Sequence, residues 1–152
     1  MIEAAKHKVY ETANYETVYL FWRIGQELKD SILQGQKADY GKSVVKNMSK
    51  ELEIKYGHSY DKSALFRMIQ FYESFSDFEK VATLSQQLSL SHFKELITIS
   101  DGLKRDFYAV LCRNEGWSVR TLRERKKSML YERTAISKRP EETIKNDLLL
   151  LY

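Results

Sequence analysis

The sequence predicts an all-α protein of about six to seven helices on a helix-turn-helix or winged-helix-like core, and three observations lead there. One proline and six glycines in 152 residues suit long helices and poorly suit a sandwich or barrel. Apolar residues recur at three-and-four spacing, the period that gathers them on one helical face. No stretch alternates at strand period. With 43% apolar residues, ten tyrosines and seven phenylalanines, a core can be built and a disordered class is excluded.

The length suits one domain, or one domain with a terminal extension. Residues 3–33 form one long helical pattern whose buried stripe is Val18, Phe21, Trp22, Gly25, Leu28 and Ile32. A glycine in mid-helix costs about 1 kcal/mol against alanine, so Gly25 points to a close helix crossing. Gln34-Gly35-Gln36 ends the element.

From Tyr40 to Phe75 two helices are expected around a glycine turn. Val44, Val45, Met48 and Leu52 give the first an apolar face, and Leu65, Met68, Tyr72 and Phe75 resume the pattern after a break at Tyr56-Gly57-His58-Ser59. Gly57 stands where a helix end wants a residue tolerant of positive φ. Asp61 stands where the next helix wants a carboxylate to accept a backbone N–H. Helix, short turn and helix make the outline of a helix-turn-helix.

Residues 76–83 read as a linker. Thr83-Leu84-Ser85-Gln86 has capping-box spacing and is expected to start a short helix. Ser89-Leu90-Ser91-His92 looks like a second start, with Phe93, Leu96 and Ile97 buried behind it. Asp101 is placed to cap a helix carrying Leu103, Phe107, Val110 and Leu111, closed by Gly116. Ser118 caps a helix expected to run to residue 133, with Val119, Leu122, Met129 and Leu130 inward. Pro140-Glu141-Glu142 suits a first helical turn, and the Leu148–Tyr152 run reads as an element needing a partner.

Several chemistries find no support. The single cysteine, Cys112, cannot form an internal disulfide, so a reducing compartment is expected, and its helical setting reads as buried filler. No run approaches the ~18 apolar residues a membrane span needs, which points to a soluble, cytoplasmic protein without a membrane partner. His7, His58 and His92 are dispersed and read as surface or capping residues rather than metal ligands. There is no P-loop and no dinucleotide fingerprint, so no cofactor is expected. Glu53-Ile54-Lys55 matches the Glu-x-Lys of metal-dependent nucleases, but on a helical stretch with no strand around it. No catalytic residue is assigned, and the chain itself is not expected to be an enzyme.

Charge carries the strongest functional signal. Net charge is +4, yet residues 118–139 alone hold eight Lys/Arg against Glu124 and Glu132, a local +6 that leaves −2 for the rest. Screening erases charge effects beyond roughly 8–10 Å at physiological salt, so only a local excess builds an anion-binding surface. Arg120, Arg123 and Lys127 fall on one helical face, and Arg125 and Lys126 broaden it. These are candidate phosphate contacts; a solvated amphipathic helix is the competing reading. In the helix pair, Lys62, Ser63, Phe66, Arg67 and Gln70 lie away from the apolar stripe. Lys62, Ser63, Arg67 and Gln70 are the candidates for groove contact, since Arg reaches guanine and Gln adenine. Helix pairs with glycine turns are also common in plain bundles.

In four ordered blocks the chain resembles the N-terminal domain of the YhcG-type family. These are bacterial proteins in which a helical domain precedes a predicted PD-(D/E)xK nuclease domain. The blocks are Trp22-Arg23-Ile24-Gly25; Tyr40-Gly41, Met48-Ser49 and Leu52, continued by Tyr56-Gly57, Tyr60, Leu65, Met68, Phe71-Tyr72 and Phe75; residues 87–92; and Trp117-Ser118-Val119-Arg120, Leu122 and Tyr131-Glu132-Arg133. The family has glycine where Ser59 stands, tryptophan where Leu90 stands, arginine where Ile69 stands and an apolar residue where Lys126 stands. Ile69 is therefore expected to thin the basic face of the second helix, and Lys126 to widen that of the later one. The resemblance implies a domain that recruits or positions a nuclease, in defence against foreign DNA, and with the helix pair and the basic helix the expected means is DNA binding. It implies a helical domain over 1–139, and a linker helix starting at 140–152 that leads to a nuclease domain outside this chain. The partners implied are DNA and that nuclease domain. The competing class is a protein-interaction or homodimerisation module, supported by the Leu148–Tyr152 run and the many Tyr and Phe.

Overall fold

A computed structural model describes the backbone of residues 1–35 and 38–137 and the side chains of residues 1–32 and 41–134. Lys138, Arg139, the Pro140-Glu141-Glu142 start, the 140–152 linker helix and the Leu148–Tyr152 run lie outside them. Eight α-helices are found among the described residues: α1 (Ile2–Gly35), α2 (Ala38–Tyr56), α3 (Lys62–Ser74), α4 (Phe78–Leu84), α5 (Leu90–Leu96), α6 (Gly102–Glu115), α7 (Val119–Lys127) and α8 (Leu130–Ser137). A single 3-10 turn, His58–Tyr60, joins α2 to α3. The fold class is all-α. No strand, and so no β-wing, occurs among the described residues.

Two more helices than the lower expected count arise at two places. Residues 76–83 are not a linker: Asp77 accepts from the Glu79 N–H at 3.0 Å and starts α4. Thr83 and Leu84 end that helix rather than starting one, and the Thr83 hydroxyl donates back to Glu79 O. The capping-box spacing there is thus coincidental, because an acidic cap six residues earlier had already nucleated the turn. The helix expected to run to residue 133 stops at Lys127, and Met129 takes φ 60°. Met129 is 55% exposed, not buried as its spacing suggested, because the helical register ends before it.

The chain divides into two compact units. One comprises Glu16–Ser76, the latter part of α1 with α2 and α3. Its core takes Val18, Phe21, Trp22 and Leu28 from α1, Val45 from α2, and Leu65, Met68, Ile69 and Phe71 from α3. Gly25 permits the expected close crossing: a Cβ built there would lie 2.0 Å from Met68 O. The Trp22 indole N–H donates to Phe75 O at 2.7 Å and its ring meets Tyr72 edge-on, fixing the end of α3. Gly57, at φ 90°, breaks the chain after α2, and the Asp61 side chain accepts from Ala64 N at 2.8 Å to begin α3. On α2, Met48 is exposed and Ser49 is buried in its place, its hydroxyl donating to Tyr60 O at 3.3 Å. The apolar residue faces out because that position is needed to close the turn.

The other unit comprises Met1–Tyr15 and the chain from Asp77 onward. Asn14 donates to Ser85 O and Leu88 O, tying the start of α1 to the segment between α4 and α5. Val81, Leu84, Leu88, Phe93, Leu96, Tyr108, Cys112 and Leu122 are buried to within 1%. Burial alone pushes the Cys112 thiol up to about 12, as filler rather than nucleophile. The Tyr108 hydroxyl accepts from Tyr131 N at 3.1 Å and donates to Arg125 O at 3.4 Å, pinning the break between α7 and α8.

Candidate nucleic-acid interface

The candidate residues fall into two groups, one in each unit. On α3, Lys62, Ser63, Phe66, Arg67 and Gln70 are all exposed, as their spacing required. Ile69 is not part of that surface. It is only 7% exposed and belongs to the core, so it does not thin the basic face. The helix face turns between Met68 and Ile69, both buried, and Gln70.

The second group stands on α7. Ser118 caps it, accepting from Thr121 N at 3.1 Å. Preceding it, Gly116 is left-handed at φ 65°, and the buried Trp117 anchors the turn by accepting at its carbonyl. The donor is His92: its Nδ1 accepts the Ser89 N–H at 3.0 Å, which leaves Nε2–H to donate to Trp117 O at 2.8 Å. The expected capping role of His92 is thereby met, and the same ring also positions the start of α7. Only Leu122 of this helix is fully buried.

Arg120, Arg123, Arg125 and Lys127 are exposed, the Arg120 and Arg123 side chains to 89% and 64%. They are not all free of acids. Arg120 lies 3.5 Å from Glu124, one turn on. Arg123 Nε lies 2.5 Å from Glu95 Oε1, and Lys126 Nζ 2.9 Å from Glu95 Oε2. The Arg125 guanidinium sits 5.7 Å from the centre of the Trp117 ring, a cation–π distance. Lys126 is half-buried and also donates to Glu95 O and Thr98 Oγ1. Burial pushes the Glu95 carboxyl up, but hydrogen bonds from Arg123 and Lys126 outweigh it and hold the group below its ordinary value of 4.5.

Glu95 escaped the sequence reading. It lies 28 and 31 residues from its partners, on a different helix. No local spacing signals such a pair; only the packing of α5 on α7 makes it. Glu53-Ile54-Lys55 lies on α2, with Ile54 exposed, so the tripeptide has none of the strand support a nuclease centre uses. Among the described residues no group of three or more His, Cys, Asp or Glu is placed to hold a metal. No helix among them is long and apolar enough to cross a membrane.

The fold and this surface define an all-helical domain carrying a short, strongly basic helix. The chain belongs to the family described as the DUF1016 N-terminal domain, which matches residues 1–133. It is similar to the Escherichia coli (strain K12) protein named "Putative nuclease YhcG", with 23% identity over 90% of this chain. The match covers 44% of that protein, so the chain spans less than half the length of the curated relative it matches. No solved structure matches the chain.

Proposed function

We propose that this chain is a non-catalytic domain that binds DNA and positions a nuclease domain carried on the same polypeptide, in the cytoplasm, in defence against foreign DNA. Residues 1–139 would form the binding domain and 140–152 would begin the helix leading to a PD-(D/E)xK nuclease. The observation that carries this reading is α7: four exposed cations on a helix that buries only Leu122. Such a helix contributes little to the core, so its composition is left to a surface role. Arg120, Arg123, Arg125 and Lys127 bind phosphates without reading sequence; Lys62, Ser63, Arg67 and Gln70 on α3 provide the groove contacts.

Binding of fluorescent random-sequence duplex DNA at several salt concentrations tests it. The expected result is affinity that falls steeply with salt, log K changing by about 0.9 per log unit of salt for each phosphate contacted. Absence of binding at low salt would overturn the reading. A docking or homodimer module is the second reading, favoured by the exposed Ile2, Val9 and Tyr10 on the first turns of α1. Sizing the protein at several concentrations, with and without DNA, separates the two. A dimer indifferent to DNA favours docking.

A further inference from the structure

Glu95 occupies the donors of two α7 cations in a particular way. Its carboxylate takes one bond from Arg123 Nε through Oε1, and one from Lys126 Nζ through Oε2. A phosphodiester offers the same pair of acceptors through its two non-bridging oxygens, and Arg and Lys bind both kinds of oxyanion with charge-assisted bonds. Lys126 Nζ does not depend on the carboxylate for its position. Its other two donors are used by Glu95 O, a backbone atom of α5, at 3.0 Å and by Thr98 Oγ1 at 2.8 Å. Were the Glu95 side chain to rotate away, the ammonium would stay where it is with one donor open. The Arg123 side chain is 64% exposed and the Glu95 side chain 19%, so the pair lies at the rim, within reach of an incoming strand.

We infer that Arg123 and Lys126 form a two-cation seat for a nucleic-acid backbone phosphate, and that Glu95 fills this seat as an internal competitor when no nucleic acid is bound. The inference rests on the DNA-binding reading above and adds to it a site residue, Lys126, and a regulation. A ligand must displace a tethered carboxylate before it bridges Arg123 Nε and Lys126 Nζ. Isolated anions therefore gain little, while a strand already held by Arg120 and Lys127 gains the seat at high effective concentration. Glu95 thereby lowers affinity for all duplexes alike and flattens the salt dependence.

The test is the full chain carrying Glu95→Gln, compared with the parent by anisotropy of random-sequence duplex DNA over a salt series. Glutamine keeps the length and one acceptor but removes the charge. The expected result is an affinity gain of about tenfold at 0.1 M salt for each contact recovered, and a salt slope steeper by ~0.9 to ~1.8. Adding Lys126→Ala to that variant should return about half of the gain. If the parent binds in a salt-dependent manner and Glu95→Gln binds with the same affinity and slope, the internal-competitor inference is overturned and the DNA-binding reading stands. If neither protein binds, the reading itself fails and the inference falls with it. Should Glu95→Gln not fold, Glu95→Asp serves: one methylene shorter, it cannot reach both cations, and it should shift affinity in the same direction by less. No shift in that variant overturns the inference.

Discussion

α3 and α7 start alike and end as different kinds of helix. Each begins with a side-chain oxygen accepting the N–H three residues on, Asp61 from Ala64 and Ser118 from Thr121. α3 then buries Leu65, Met68, Ile69 and Phe71, whereas α7 buries Leu122 alone. Packing therefore dictates most of α3, and its exposed residues are the remainder. α7 has almost no packing to satisfy, and its surface is crowded with cations. The same crowding is partly answered within the fold by Glu95 and Glu124. Under the proposed function, the binding face is therefore sought first on the helix that packing leaves most unassigned, α7, and second on the helix pair.

The largest expected effect tests that ranking directly. Replacing Arg120, Arg123 and Lys127 together with alanine in a Glu95→Gln background, where Arg123 is released from its carboxylate partner, should lower affinity for random duplex DNA by up to several hundredfold at 0.1 M salt, since each contact is worth roughly tenfold there. Replacing Lys62 and Arg67 should cost less, below about sixtyfold by the same count. Both losses should be uniform across sequences except for what Arg67 reads in a groove. A larger loss from the α3 pair, measured by anisotropy, would reverse the ranking.

Stability effects follow, and the largest is expected in the unit that holds α3. Gly25→Ala gains about 1 kcal/mol of helix propensity, but the new Cβ would fall 2.0 Å from a backbone oxygen, Met68 O. Backbone cannot swing aside as a side-chain tip can, so the crossing must open, and overpacking of this kind costs about 1–3 kcal/mol. Net destabilisation of about 1 kcal/mol, and up to about 2 kcal/mol, is expected in urea unfolding; a net gain would mean that the helices part freely. Gly57→Ala should cost a similar amount, about 1–3 kcal/mol, for another reason. Nothing lies within 4 Å of its built Cβ, so the whole cost is the φ of 90°.

Those two glycines were readable in the sequence because each answers a local or near-periodic need. So were the caps at Asp61, Ser89, Asp101 and Ser118, which involve residues no more than three apart. The exposed set on α3 followed from period alone. What the sequence did not disclose lies in non-local geometry. Ser49 rather than Met48 is buried because Tyr60 O, across a turn, requires its hydroxyl. The helix over residues 119–133 breaks where Tyr108, more than twenty residues away, accepts the Tyr131 N–H. Glu95 meets Arg123 and Lys126 only once α5 and α7 pack. The basic segment was legible as charge but not as partly compensated charge.

That compensation predicts how the α7 unit responds to acid. Glu95 and Glu132 both have carboxyls held below the ordinary 4.5, Glu132 chiefly by its hydrogen bond from Lys104. A depressed folded-state value means that their stabilisation is present above about pH 4.5 and is lost as pH falls through the lower folded values. Chemical unfolding between pH 6 and 3 should show this decline. Glu95→Gln should flatten it, because the variant has no proton to take up there. An unchanged slope would show that Glu95 is not paired in solution as it is in the fold.

The smallest effect separates the two helix breaks. Gly57 ends α2 at a positive φ that glycine tolerates, while Met129 meets the same need after α7 at φ 60° with a side chain. A left-handed non-glycine residue is strained by roughly 1–2 kcal/mol. Met129 is 55% exposed, so little packing is lost on removing its side chain. Met129→Gly should therefore relieve the strain, offset by the extra freedom glycine adds to the unfolded chain, about 0.4–1 kcal/mol. A net gain below about 1 kcal/mol is expected, with DNA affinity unchanged because no candidate cation is touched. If the variant instead loses affinity, the direction in which α7 ends matters to binding. The rigid break held by Tyr108 would then belong to the interface as much as the cations do.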